Sequence, residues 1–351
     1  MDHTERGIMN ITFLIGNGFD INIGLKTSYL NFYDYFDERA SEENMLRKWI
    51  DKSDKLWSDL ETGLGVSTEK ITGENEETFY EDKLELIELL ADYLQLEQSK
   101  VNVKGKEVEV AKELARSLLG VANEMPNAQN ARYKEILNTY QDENRVFQFV
   151  SFNYTNTLDQ FVSVTKEKIT TLAEHKAKNG HQRKSEIGSI THIHGTVDGE
   201  MILGVNDLSQ IKNSALQENS FFRSVFIKTE MNQENDLMNE DVAMKAIDNS
   251  RIVCIYGMSM GETDNMWWEK IIKWLKKDID NLLIIYYYKK SMIGKRKQRI
   301  SSKQFEREVI TRLLKQGGEE SDALTNPIAK QIFIITNSSI FSFRNILFPK
   351  V

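Results

Sequence analysis

One cysteine, Cys254, is all that the 351 residues contain. That excludes an internal disulfide and any zinc site built from four cysteines, and it suits a reducing cytoplasm. Proline is almost as scarce, with only Pro126, Pro327 and Pro349, and there is no Ser/Gly-rich tract, so no flexible linker divides the chain. Long hydrophobic runs are missing as well. None approaches the roughly 18 residues of a membrane span, and the longest are pieces such as Leu282 to Tyr288. The stretch Met1 to Asn10 carries Asp2, Glu5 and Arg6 and lacks the apolar core and small-residue cleavage site of a signal peptide. Basic charge is in deficit, 45 Lys and Arg against 53 Asp and Glu, and a net charge of −8 excludes a basic nucleic-acid coat. What remains is a soluble, cytoplasmic globular chain. Its 40% hydrophobic content suffices for a sizeable core, and its length allows about two domains or one enlarged one.

Short β-branched or aromatic runs alternate with long helical stretches, the pattern of an α/β fold with a largely parallel sheet. The runs are Ile11 to Ile15, Val146 to Phe152, Ile252 to Tyr256, Leu282 to Tyr288 and Ile332 to Ile335. They are too apolar for strands with one wet face and read as buried on both sides. Ser189 to Val197, then Asp198-Gly199, then Glu200 to Val205 reads as a β-hairpin, because Asp-Gly favours a tight primed turn. Between the first two strands, residues 27–145 look almost wholly helical. Leu84, Ile87, Leu90, Ala91 and Leu94 fall at helical spacing, as do Val108, Ala111, Leu114, Ala115 and Leu118.

Polar motifs cluster where strands end. The first strand runs into Gly16-Asn17-Gly18-Phe19-Asp20, then Gly24. A strand entering a Gly-x-Gly turn and then a helix can aim backbone N–H groups at a phosphate, although Ile21 stands where the usual dinucleotide fingerprint has its third glycine. A plain tight turn is the competing reading. The second strand ends in Ser151-Phe152-Asn153-Tyr154-Thr155, small polar groups that would face the ligand crevice of an open α/β sheet or, alternatively, cap a helix. His192 and His194 are two apart in an expected strand and so should share a face. No cysteine or carboxylate cluster accompanies them, so no metal is expected, and one histidine as general base or hydrogen-bonding anchor is more economical. A satisfied structural histidine is the rival reading of His192. The strand Ile252 to Tyr256 ends in Gly257-Met258-Ser259-Met260-Gly261-Glu262-Thr263-Asp264, again a Gly/Ser turn before a helix. The one basic cluster, Lys289, Lys290, Lys295, Arg296, Lys297 and Arg299, has no interleaved aromatics for base stacking and reads as a solvated loop.

Taken together, Gly16-Asn17-Gly18-Phe19-Asp20 with Gly24-Leu25-Lys26-Thr27-Ser28-Tyr29, Trp57-Ser58-Asp59-Leu60-Glu61, Phe152-Asn153-Tyr154-Thr155, His192-Ile193-His194-Gly195 and Gly257 to Asp264 resemble the AbiH family of bacterial phage abortive-infection proteins. The match starts at about Met9 and keeps the family's motif order, with residues 1–8 as an extension. The same set is similar, distantly, to the sirtuin-type NAD-binding domain. The resemblance implies a single Rossmann-like domain over 9–351 with 27–145 as a helical insertion. It places catalytic roles on His194 and Asn153, and cofactor-binding roles on Gly16, Asn17, Gly18, Phe19, Asp20, Thr155, Gly257 and Ser259. Thr155 stands where sirtuins usually have Asp, and Asn17 and Asp20 replace the small Ala and Ser of their first turn. The zinc ribbon of sirtuin deacylases cannot be built from one cysteine, which leaves a defence-type NAD hydrolase or a non-catalytic nucleotide sensor. The implied partners are a nucleotide ligand, NAD or a relative, with room for a phage-derived trigger and a homo-oligomer. Membrane and nucleic acid are not expected. Because a constitutive NAD hydrolase would poison its host, the helical region is the natural regulated element.

Overall fold

Residues 7–50, 60–234, 238–261, 264–289 and 298–349 are described in a computed structural model of the chain. Seven strands form one sheet: β1 (Ile8–Ile15), β2 (Asn144–Ser151), β3 (Ala173–Lys176), β4 (Gln182–His192), β5 (Ser250–Tyr256), β6 (Leu282–Tyr287) and β7 (Ile332–Thr336). Their spatial order is β3-β4-β2-β1-β5-β6-β7, and every pairing is parallel except β3 with β4. The chain winds outward from β1 in one direction and then, from β5, in the other. Between β1 and β5 the order therefore reverses, and open α/β sheets bind ligands beyond the carboxyl ends of strands at such a point.

The apolar runs are continuous because both faces of the sheet are covered. On one face Phe13, Phe149, Cys254, Ile284 and Phe333 pack under Leu114 and Leu118 of helix Glu107–Leu119 and Phe161 of helix Thr157–Lys168. On the other, Leu14, Val253, Ile255 and Ile285 pack under Trp268 and Trp274 of helix Asn265–Lys277. Side-chain alternation along each strand divides its residues between the two layers.

The helical stretch between β1 and β2 splits in two. Helices Glu107–Leu119 and Asn127–Thr139 cover the sheet. Helices Tyr29–Arg39, Met45–Trp49, Leu60–Ser67 and Glu76–Gln98 instead build a third core, in which Phe32, Phe36, Leu64, Phe79 and Leu90 meet Leu203, Val205, Phe222 and Phe226. Spacing misjudged one face of helix Glu76–Gln98: Leu84 is exposed, while Lys83 is buried beside Leu86.

The expected hairpin is corrected. Ser185 to His192 pair in parallel with β2, so this segment belongs inside the sheet. The Asp198-Gly199 turn exists, with the Gly199 amide on the Thr196 carbonyl, but only one bridge, Gly195 to Met201, flanks it. The antiparallel pair is β3 with β4, around Gly180. A free edge of β2 offers residues 185–192 more ladder bonds than a short return strand could, and pairing follows the larger set. Among the described residues, no helix is long and apolar enough to cross a membrane.

Candidate functional site

The strand ends are level. His192 of β4 pairs with Ser151 of β2, Ser151 with Ile15 of β1, Ile15 with Tyr256 of β5, and Tyr256 with Tyr286 of β6. Gly16, Phe152, Ile193 and Gly257 therefore leave the sheet side by side, and the polar motifs that follow them meet above its carboxyl edge.

The two glycine turns lock into each other. The Gly18 amide donates to the Gly257 carbonyl at 2.7 Å, the Gly16 amide to the Tyr256 carbonyl at 2.9 Å, and the Phe19 amide to the Gly16 carbonyl at 2.9 Å. A Cβ on Gly18 would lie 2.5 Å from Gly257 Cα, and Gly257 itself sits at φ +72°, where L side chains are strained. Backbone-on-backbone packing thus explains these glycines. The phosphate cradle expected of this turn loses three of its amide donors to other carbonyls.

The other residues of the first motif turn different ways. Asn17 is tied to Thr27: its Nδ2 donates to the Thr27 carbonyl at 2.9 Å and its Oδ1 accepts from the Thr27 hydroxyl at 2.5 Å. Phe19, expected beside a cofactor, is fully buried among Phe161, Tyr256, Phe341 and Phe343 and serves the core. Asp20 is a buried carboxyl. It is 1% exposed, its Oδ2 accepts the Thr155 hydroxyl at 2.6 Å, and its Oδ1 is buried without a hydrogen-bond partner. Burial pushes its carboxyl up to about 7, against the Thr155 bond and the charge of His192, which both lower it.

The histidines do not share a face as expected, because β4 ends at His192 and the chain turns. His192 directs Nδ1 to the Asn153 carbonyl at 3.1 Å and Nε2 to Asp159 Oδ2 at 2.9 Å. Burial lowers its pKa, but the bond and charge of Asp159, the Asn153 carbonyl and the charge of Asp20 outweigh that and raise it. With both ring nitrogens facing acceptors, the ring is suited to be a doubly donating cation.

His194 is held neutral instead. It is 8% exposed, with its ring against Phe152 and Tyr154, centroids 6.0 and 6.1 Å away. Burial and then the charge of Lys228 keep it well below its ordinary pKa, and a bond to the Phe152 backbone opposes them. Its chain neighbour Gly195, at φ +72°, is required by the turn, since a Cβ there would meet the Glu200 carbonyl oxygen at 1.6 Å. Asn153, between Phe152 and Tyr154, is 7% exposed and its Oδ1 is buried without a partner. Ser259 is exposed.

Sequence reading missed a buried ion pair here. Lys228, 1% exposed, binds Glu61 Oε1 at 2.5 Å, and Tyr29 reaches the same oxygen at 3.4 Å. Glu61 sits in a quoted motif, but its partner is 167 residues away, and no local signal joins them. Trp57, Ser58 and Asp59 of that motif lie outside the described residues, as do Glu262 and Thr263. The basic run lies mostly outside them too; Lys289 holds its ammonium 3.7 Å from the centre of the Phe305 ring.

The end of helix Glu76–Gln98 ties three of these loops together. Tyr93 donates to the Lys26 carbonyl at 2.7 Å and Glu97 accepts the Lys26 amide at 2.9 Å. Gln98 accepts the Asn156 amide at 2.5 Å, and Gln95 donates to the Val197 carbonyl at 2.9 Å. Among the described residues, no group of three or more His, Cys, Asp or Glu side chains is gathered as a metal ion would need.

In comparison with known proteins, residues 12–286 match the family model described as bacteriophage abortive infection AbiH. No curated protein matches the chain.

Proposed function

The chain belongs to the AbiH family of bacteriophage abortive-infection proteins, and from that premise we propose that it halts phage infection by binding NAD, or a related nucleotide, and hydrolysing it to release nicotinamide. In this reading the sheet is a Rossmann-like one of the sirtuin type. Support comes from its six parallel strands, whose order, numbered among themselves, is 3-2-1-4-5-6. The observation that carries the reading is His194: a buried, neutral imidazole against the two residues that flank Asn153, at the level where β1, β2, β4 and β5 all end.

The bond that breaks joins C1′ of the ribose to the nicotinamide nitrogen, and its electron pair leaves with nicotinamide. Water adds to C1′ and gives up a proton. His194 has one ring nitrogen on the Phe152 backbone, so the other is available to accept that proton. Asn153 has an unpaired carbonyl oxygen with which to orient the ribose or the water. His192, bonded at both nitrogens, holds Asn153 through its backbone. The helix end that ties the loops after β1, β2 and β4 gives the helical region a handle on this geometry, as a regulated toxic activity requires.

The test is to incubate purified protein with NAD, with and without phage lysate, and assay free nicotinamide for wild type and Asn153→Ala. Nicotinamide from wild type alone supports hydrolysis. Tight NAD binding without product favours a sensing module, and the absence of both product and binding overturns the nucleotide reading.

A further inference from the structure

A buried carboxyl oxygen with no donor calls for one, and the glycine turn beside it has its own donors in use. Asp20 follows directly on that turn, and its side chain is fixed by a single bond, from Thr155. Its second oxygen and that of Asn153 are both buried and unpaired, and the two residues belong to one chain of contacts: Asp20 to Thr155, two positions on from Asn153, and Asn153 to His192. Buried acceptors that lack a donor repel a phosphate and satisfy hydrogen-bond donors. The Gly16, Gly18 and Phe19 amides, which a phosphate would need, are bonded within the protein.

We propose that Asp20 is a ligand-contacting residue whose free oxygen receives an uncharged hydrogen-bond donor of the nucleotide, a ribose hydroxyl, and that the glycine turn after β1 binds no phosphate. This rests on the nucleotide reading above and reverses the expected polarity of the turn. Three parts of NAD carry such donors, the sugar hydroxyls, the carboxamide and the adenine amino group. Nicotinamide and ADP-ribose separate the carboxamide from the sugar, and adenine titrated alone separates the base.

The experiment is calorimetric titration of the full chain with ADP-ribose, nicotinamide, adenine and inorganic pyrophosphate, using wild type, Asp20→Asn and Thr155→Val. Asp20→Asn keeps the shape but turns one oxygen into an N–H₂ group. Thr155→Val keeps the volume but frees the carboxyl. Wild type is expected to bind ADP-ribose, with at least tenfold weaker binding in Asp20→Asn, a smaller loss in Thr155→Val, and no competition by pyrophosphate. ADP-ribose affinity that is the same in Asp20→Asn and wild type overturns the Asp20 assignment while leaving the nucleotide reading intact. Pyrophosphate that competes with ADP-ribose overturns the polarity of the turn. Binding of nicotinamide but not ADP-ribose, or adenine binding that Asp20→Asn weakens as much as it weakens ADP-ribose binding, overturns the sugar assignment. If wild type binds none of the four, both proposals fall.

Discussion

The Gly18 amide donates to the Gly257 carbonyl at 2.7 Å, and the two residues are so close that a Cβ on Gly18 would lie 2.5 Å from Gly257 Cα. The loops after β1 and β5 meet through bare backbone, and this contact closes the sheet's carboxyl edge where its strand order reverses.

Gly18→Ala is therefore expected to act on stability before it acts on binding. Backbone cannot yield as a flexible side chain would, so the loss should be about 2–3 kcal/mol in chemical denaturation. A variant as stable as wild type that binds nucleotide poorly would instead restore a phosphate cradle to this turn.

Asp20 should make stability fall as pH rises. Its carboxyl titrates near 7 in the folded chain and near 3.8 when unfolded, so between those values the native state keeps a proton that the unfolded state has lost. The full burden, on the order of 4 kcal/mol, is present above about pH 7 and absent below about pH 4. Asp20→Asn removes that charge. Its melting temperature relative to wild type should improve from pH 5 to about pH 7 and level off above, and a pH-independent difference would contradict the buried carboxylate.

Lys228 and Glu61 form a buried pair, and such pairs are worth little against apolar replacements but are expensive to break singly. Lys228→Met alone should cost about 3–5 kcal/mol, while Lys228→Met with Glu61→Met should recover most of that. Because Lys228 also depresses His194, the single variant should raise the His194 pKa in an NMR titration. Additive single and double losses would show that the two side chains do not depend on each other.

How much of this was legible in the sequence follows from the range of each signal. Five strands could be read because β1, β2, β5, β6 and β7 send side chains into both cores and so carry mostly apolar runs, broken by residues such as Thr12 and Gln148. The carboxyl end of β4, from Ser189, was misread because an Asp-Gly pair is a local signal, whereas the pairing of Ser185 to His192 is decided by the edge of β2. β3, only Ala-Glu-His-Lys, lies at the sheet's edge and carries no apolar pattern. Gly16 and Asn153 each follow a strand that the sequence shows, whereas His194 was read as lying inside a hairpin strand and instead follows the end of β4. Phe19 could not be told from a ligand contact, since Phe161, Phe341 and Phe343, which surround it, are remote in the chain. The Asp20–Thr155 bond spans 135 positions, and burial of a carboxylate has no sequence signature.

Lys83 gives the opposite pH dependence to Asp20. Burial lowers its ammonium to about 7 from 10.5, with the Val225 carbonyl at 2.7 Å and the Phe226 ring at 5.2 Å as its neighbours. Between those values the unfolded chain holds a proton that the native one lacks, so this residue makes stability rise with pH. Lys83→Met should be stabilised most, relative to wild type, at pH 7 and below, with the gain shrinking toward pH 10. Thermal denaturation across that range checks the sign, and a gain that grows with pH would contradict it.

The most direct test of the central claim follows NAD and free nicotinamide in cells carrying wild type, His194→Ala or Asn153→Ala through phage infection, with plaque counts and soluble expression measured alongside. Wild type should lose NAD, gain nicotinamide and lower plaque numbers only after infection, while both variants stay soluble, keep their NAD and fail to protect. Protection by wild type with NAD unchanged, or undiminished protection by soluble His194→Ala, would contradict the account.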